Sequence, residues 1–238
     1  MKRLAILLLG VLTIGQFTSC KKDNNCVTGS GSYTSRNYSK PTYSSINIYG
    51  EADVFVTKSS QSSIRIEGEE SILNALNVSV TNDKLYIGED NCFENARKLK
   101  IYLSTASLNG VYVAGKCNVY SPENFSGNSF QAEISGTGTI DINVNTQEFN
   151  SSISGDGTIN VVGAATSHDI FISGDGRIYS YDFITKSTDI GVSGKGTIET
   201  HCTENLDVTI SGSCNVYYKG YPTITSNISG LGNIIDSN

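Results

Sequence analysis

The sequence predicts an all-β fold, a parallel β-solenoid (β-helix) whose coils each take about 18–21 residues. A seven-residue motif recurs along the second half of the chain: VAGKCNV at 113, ISGTGTI at 134, ISGDGTI at 153, ISGDGRI at 172, VSGKGTI at 192, ISGSCNV at 210 and ISGLGNI at 228. The steps between them are 21, 19, 19, 20, 18 and 18 residues, and a near-constant period of this size is the signature of stacked repeats. Within each unit the apolar residues fall on alternate positions, as in a strand with one buried face.

In chain order, the first segment, MKRLAILLLGVLTIGQFTSC, holds two cations, an apolar run from Leu4 to Ile14 and small residues before a cysteine. It reads as a signal peptide over residues 1–19, since the run is shorter than the roughly 20 residues that cross a bilayer. FTSC resembles the lipobox of bacterial lipoproteins, although Phe17 departs from the usual aliphatic residue. The resemblance implies lipidation at Cys20; an ordinary signal cut near Cys20 is the alternative. KKDNN, which follows, is similar to the charged tags of surface-exported lipoproteins. The expected location is therefore the outer membrane of a Gram-negative bacterium, with the chain facing the cell exterior or, as the alternative, the periplasm. Residues 20–41, rich in Ser, Asn and Gly, read as a lipidated tether.

A single solenoid domain is expected over 42–238. In its first part, 42–110, INIYGEADVFV, SIRIEG, LNVSV and KLYIG alternate well enough to be strands and predict less regular coils that cap the N-terminal end. The repeat coils occupy 111–238. With the first residue of each motif as position zero, positions zero and six are always Val or Ile and face inward. Four residues before zero stand Phe130, Phe149, His168, Thr188, Leu206 and Ile224, another inward column. Odd positions are polar. Parity places the glycines of positions two and four inward as well: Gly136, Gly138, Gly155, Gly157, Gly174, Gly176, Gly194, Gly196, Gly212, Gly230 and Gly232. They read as a corner repeated once per coil, where a β-carbon would crowd the interior and where glycine permits angles closed to other residues. Pro41 precedes the first strand, and Pro122 and Pro222 are expected in loops between motifs.

Cys117 and Cys214 replace the glycine at position four and read as small apolar corner fillers rather than disulfide partners. They lie five coils apart, roughly 24 Å at about 4.8 Å per strand, so they cannot bridge each other. With Cys20 assigned to lipid, the five cysteines Cys26, Cys92, Cys117, Cys202 and Cys214 leave at least one thiol unpaired. There is no CxxC pair and no Cys/His cluster at metal spacing.

Composition narrows the partners. Without residues 1–19 the side-chain charge is 15 − 23 = −8, with no basic cluster, which argues against nucleic acid and other anionic polymers. No cofactor is expected. His168 falls in an inward column and reads as a core residue; His201 lies beside Cys202 in an expected inter-strand loop, but neighbours along a strand point apart, which disfavours a Cys–His dyad. Tyr120, Tyr179 and Tyr217 share position seven, outward, with Tyr218 and Tyr221 nearby, and are candidate contact residues. Asp141, Asn160 and Glu199 interrupt that column, so no continuous aromatic platform is expected. Asp169, Asp189 and Asp207, three residues before position zero, form an outward column that is a candidate Ca²⁺ ladder, with a solvated face as the alternative. A Ca²⁺ β-roll fails on spacing, because it needs two glycine-rich nonapeptides per coil and only one GxG occurs.

The signal, the lipobox-like cysteine, the early ADVFV strand, the KLYI strand and the repeated SGxGxI together resemble the auto-transporter adhesin, head GIN domain family, over about residues 42–238. The departures are Cys117 and Cys214 at corner glycines and Ala114 in place of the first Ser. The resemblance implies a right-handed solenoid on a bacterial surface lipoprotein and carries no catalytic residues. The expected function is non-enzymatic: a membrane-anchored rigid face that binds a glycan or another surface protein. The alternatives are a carbohydrate-active β-helix enzyme and an envelope scaffold without a small ligand.

Overall fold

A computed structural model describes residues 26–88 and 91–238; the expected signal segment 1–19, Cys20 and residues 21–25 of the expected tether lie outside the described residues. Five long bent strands, Lys116–Ile134, Thr137–Ile153, Asp156–Ile172, Asp175–Val192 and Lys195–Ile210, each pair in parallel with the next. Ser213–Lys219, Thr223–Ile228 and Leu231–Asp236 continue the stack. The result is a β-solenoid of about seven turns.

Register follows the motif. Ile134, Ile153, Ile172, Val192 and Ile210 lie directly over one another and are buried, as are Val119, Ile140, Ile159, Ile178, Ile198 and Val216 at position six. The inward column from Phe130 to Ile224 is also in register. Its ring centroids are 5.9 Å apart for Phe130–Phe149 and 4.8 Å for Phe149–His168. Aromatic pairs at such spacing add about 0.5–1.5 kcal/mol beyond the area they bury.

The corners differ from the parity reading. Two residues at each corner, such as Ser154 and Gly155, leave the strand conformation, so side-chain alternation does not carry through them. A β-carbon on Gly155 would fall on the carbonyl oxygen of Gly136 in the preceding coil, not on the interior, and the same holds for Gly136, Gly174, Gly194, Gly212 and Gly230. Position four does face inward: a β-carbon on Gly157 would meet Ile134 Cδ1 at 2.8 Å, and one on Gly232 would meet Ile210 Cδ1 at 2.7 Å. Gly138 is an exception, with φ +148° and its missing β-carbon directed at the Cys117 carbonyl. Glycine is thus required at position two by the approach of another backbone, not by its torsion angles.

Coils are bonded together at this corner. The amides of Ser154 and Gly155 both donate to Ile134 O, at 2.9 and 3.4 Å, and Asp156 N donates to Gly136 O at 3.0 Å. The same three bonds recur in each later corner, down to Ser229, Gly230 and Leu231.

At the N-terminal end, chain order and spatial order part. Lys84–Ile87 pairs with Ser45–Ile48, which pairs with Gly110–Val113; alongside, Leu99–Thr105 pairs with Glu51–Lys58, which pairs with Lys116–Ile134. Ser45–Ile48 and Glu51–Lys58 therefore form the second coil, and the later strands Lys84–Ile87 and Leu99–Thr105 cover them. Val78–Thr81 and Ser63–Glu69 pair antiparallel with their neighbours, and a short helix, Glu70–Ala75, buries Ile72 and Leu73 against the end. The tether expected over 20–41 is corrected from Cys26 onward. Val27–Thr28 pairs with Phe93–Glu94, Tyr33–Asn37 pairs antiparallel with Ser63–Glu69, and Cys26 is disulfide-bonded to Cys92. Backbone pairing to an open sheet edge needs no apolar composition, so the polar makeup of this segment concealed it.

The two glycine classes predict different mutational costs. Gly157→Ala presses on the end of the Ile134 side chain and should cost about 1–3 kcal/mol, the usual range for overpacking. Gly155→Ala must displace backbone and should cost more, whereas Thr158→Val on the outward side should stay within about 0.5 kcal/mol of the parent. Urea denaturation of the three variants measures the order, and equal midpoints for the two glycine variants would contradict it.

Candidate functional site

The position-seven residues Tyr120, Asp141, Asn160, Tyr179, Glu199 and Tyr217 form one outward column in register. Beyond Tyr120 the column continues into the N-terminal coils through Phe55 and Tyr102. Phe55 stacks on Tyr120 with centroids 5.7 Å apart and on Tyr102 at 5.3 Å, with interplanar angles of 23° and 19°. The Arg65 guanidinium covers the far end, 4.0 Å from the Tyr102 centroid. An aromatic ladder exists, running opposite to the direction in which the repeats extend. Sequence spacing misses it because Phe55 and Tyr102 belong to coils outside the regular period.

Two of the three polar residues that interrupt the tyrosines, Asp141 and Asn160, form part of a groove. Its exposed lining is almost entirely apolar, with Phe55, Tyr120, Pro122, Ile142 and Val162 among the lining residues; Thr57, Asp141, Asn143 and Asn160 add polar groups, and the volume of this open groove is about 530 Å³. Asn160 Nδ2 donates to Asp141 Oδ1, which fixes both side chains. A bulge shapes the rim: the register slips between Ser121 and Asn124, leaving Pro122 and Glu123 without partners in the next coil. Pro122 therefore sits in a bulge, where its missing N–H is tolerated, and not in the expected loop. Glu123 accepts a hydrogen bond from the Lys58 amide at 2.7 Å, and Lys58 Nζ donates to Asn124 O at 2.9 Å, which ties the bulge to the neighbouring coil. Ser121, also in the lining, is buried, and its hydroxyl has no protein partner.

Of the other candidates, Tyr179 and Tyr217 stand farther along the column, and Tyr218 packs against the core. Asp169, Asp189 and Asp207 do align, and the Asp189 carboxyl is raised, first by partial burial and then by its two acidic neighbours. Among the described residues, however, no group of three or more His, Cys, Asp or Glu side chains could hold a metal ion. The column is a carboxylate ladder without a loop to complete a coordination shell. His201 and Cys202 lie within a strand, not a loop, and point apart: Cys202 is buried with Sγ 2.9 Å from Asn205 O, and His201 Nδ1 lies 3.3 Å from Tyr181 O. Cys117 and Cys214 are free and buried, and desolvation pushes their thiols up to about 12 and about 11.

Comparison with protein families matches residues 42–222 to the model described as "Putative auto-transporter adhesin, head GIN domain". The chain belongs to this family. Comparison with curated proteins finds no match. Among solved structures, this head GIN domain superposes on a "putative adhesin" from Bacteroides fragilis with a TM-score of 0.82 at 24% identity, covering 89% of this chain and 100% of the other. A "putative adhesin" from Parabacteroides merdae gives 0.70 at 22%, covering 89% and 99%. A "putative lipid binding protein" from Parabacteroides distasonis gives 0.70 at 20%, also covering 89% and 99%. At these identities the likeness is one of fold.

His168 gives this head GIN domain a pH dependence. It is fully buried between Phe149 and Phe183, shares a hydrogen bond of 2.9 Å with Ser151 Oγ, and desolvation lowers its pKa to about 3. The unfolded chain, with the usual value of 6.5, binds the extra proton first, so this contribution is intact above that pH and is lost as pH falls toward 3. The loss is about 1.4 kcal/mol per pH unit, or about 2 kcal/mol between about pH 6.5 and about pH 5. Urea titrations at about pH 7.5 and about pH 5 should show this decrement in the parent and its absence in His168→Phe; an equal decrement in both would contradict the assignment.

Proposed function

We propose that this protein is a lipid-anchored, non-enzymatic surface protein that binds a glycan or another surface protein through the lateral face bearing the groove. The observation that carries the reading is the Arg65–Tyr102–Phe55–Tyr120 stack opening onto Asp141 and Asn160. Stacking locks the rings before any partner arrives, so little side-chain entropy is lost on contact. Family membership supports an adhesin-like role. The Cys26–Cys92 bridge fits an oxidising, extracytoplasmic compartment. Asp141 is the one carboxylate in the groove lining, whereas hydrolysis by paired carboxylates needs two facing the same bond.

Two measurements test this. Cys20→Ala should lose incorporation of a labelled fatty acid and leave the membrane fraction, or fail to mature; label retained by the variant would refute the anchor. The purified protein should bind ligands on arrays of glycans and surface proteins without converting them, and turnover of any polymer in a glycosidase and lyase screen would refute the non-enzymatic reading.

A further inference from the structure

We propose that the groove is a subsite for a neutral pyranose ring, with Tyr120 as its stacking platform and the Asp141–Asn160 pair as its hydroxyl reader. The inference rests on the reading of the chain as a binding protein and names the ligand class and its place.

One face of the Tyr120 ring is taken by Phe55, which is itself backed by Tyr102 and Arg65. On the other side the next residue in the column is Asp141, followed by Asn160, and both are too small to cover a ring. The free face of Tyr120 thus borders the groove, and Phe55, itself 37% exposed, extends the same wall. A pyranose presents a patch of C–H groups on one face and hydroxyls around its edge. The patch suits the aromatic wall, and the edge suits planar side chains with fixed geometry. Because Asn160 Nδ2 donates to Asp141 Oδ1, one carboxylate oxygen of Asp141 and the amide oxygen of Asn160 retain accepting capacity for adjacent hydroxyls. The volume, about 530 Å³, falls within the range of small-ligand sites.

Charge narrows the class. Asp141 is the only ionisable acid or base in the lining apart from the Tyr120 phenol, and the chain carries net negative charge. Uronic, sialylated or sulfated sugars would bring a second anion beside Asp141. An acyl chain would suit the apolar wall but would leave the accepting oxygens of Asp141 and Asn160 without donors. A neutral sugar meets neither objection.

The experiment uses the full chain, purified in a detergent without a sugar headgroup, on an array of neutral, sialylated, uronic and sulfated glycans, followed by calorimetry with the tightest neutral ligand. Neutral glycans should bind in preference to anionic ones. Tyr120→Ala and Asn160→Ala should each weaken binding by about tenfold or more, that is about 1.4 kcal/mol, while the protein stays folded at the assay temperature, and Tyr217→Ala at the far end of the column leaves binding unaltered. Should Tyr120→Ala fold poorly, Val162→Arg fills the groove from an exposed position and should abolish binding without touching the core. Neutral-glycan binding that survives all groove variants would overturn the site while sparing the broader binding reading. Preference for anionic glycans, or for a fatty acid probe, would overturn the ligand class. Binding of a surface protein with no neutral glycan bound would also overturn this inference and leave the proposed function standing.

Discussion

Backbone meets backbone at the Ser-Gly corner, and the remaining structure depends on that contact. One carbonyl per coil accepts two amides from the next, and the glycine carbonyl accepts a third. There is no room for a β-carbon between them, so position two must be glycine wherever this bonding recurs. Because the corner fixes the axial offset of each coil at the same point, the strands between corners can keep one register, as Thr137–Ile153 does on Asp156–Ile172 throughout. Columns of like residues follow: isoleucines inside, and Ser, Thr, Asn and Asp outside. A slip of one residue would turn every buried isoleucine to solvent, so the corner and the core enforce one another.

The groove arises where this regularity is broken. An outward column that begins with three stacked aromatics drops to Asp141 and Asn160, and the coil bearing Tyr120 carries two extra residues at Pro122 and Glu123. Neither departure disturbs the core: Val119 and Phe125, on either side of the bulge, remain buried. The bulge instead raises Pro122 at the rim and is held by bonds to Lys58. Rigid parallel strands on both sides mean that the wall and the polar pair are positioned by the sheet and not by loops, which favours precise recognition.

What could be read from the sequence was whatever the period and the alternation determine. The repeat gave the stacking order from residue 113 onward, and parity put Phe130, Phe149 and His168 in one buried column, as found. Parity failed at Gly136, Gly155 and Gly174 because the corner residues are not extended, so side-chain alternation has no meaning there. The N-terminal coils were legible as strands but not in their order, since Lys84–Ile87 stacks outside a segment that precedes it in the chain. That inversion also hid the ladder: Phe55 and Tyr102 are brought to Tyr120 by long-range pairing, with no local signal in their spacing. Cys26–Cys92 was equally hidden, because pairing among five candidate cysteines cannot be deduced from spacing alone.

Among the described residues the cysteines divide into two populations by environment, and the division protects the fold. Cys26 and Cys92 join segments 66 residues apart at the N-terminal end; closing a loop of that length is worth about 4 kcal/mol in the chain-entropy account. Cys117, Cys202 and Cys214 lie within the stack, buried and apart from water. Disulfide exchange proceeds through the thiolate. Burial raises the thiols of Cys117 and Cys214, and the Cys202 sulfur is held against the carbonyls of Lys186 and Asn205. None of the three can attack the terminal bridge without opening a coil. The cysteines that replace glycine at position four, Cys117 and Cys214, are thus confined to the packed interior of the stack, where their thiols are withheld from exchange.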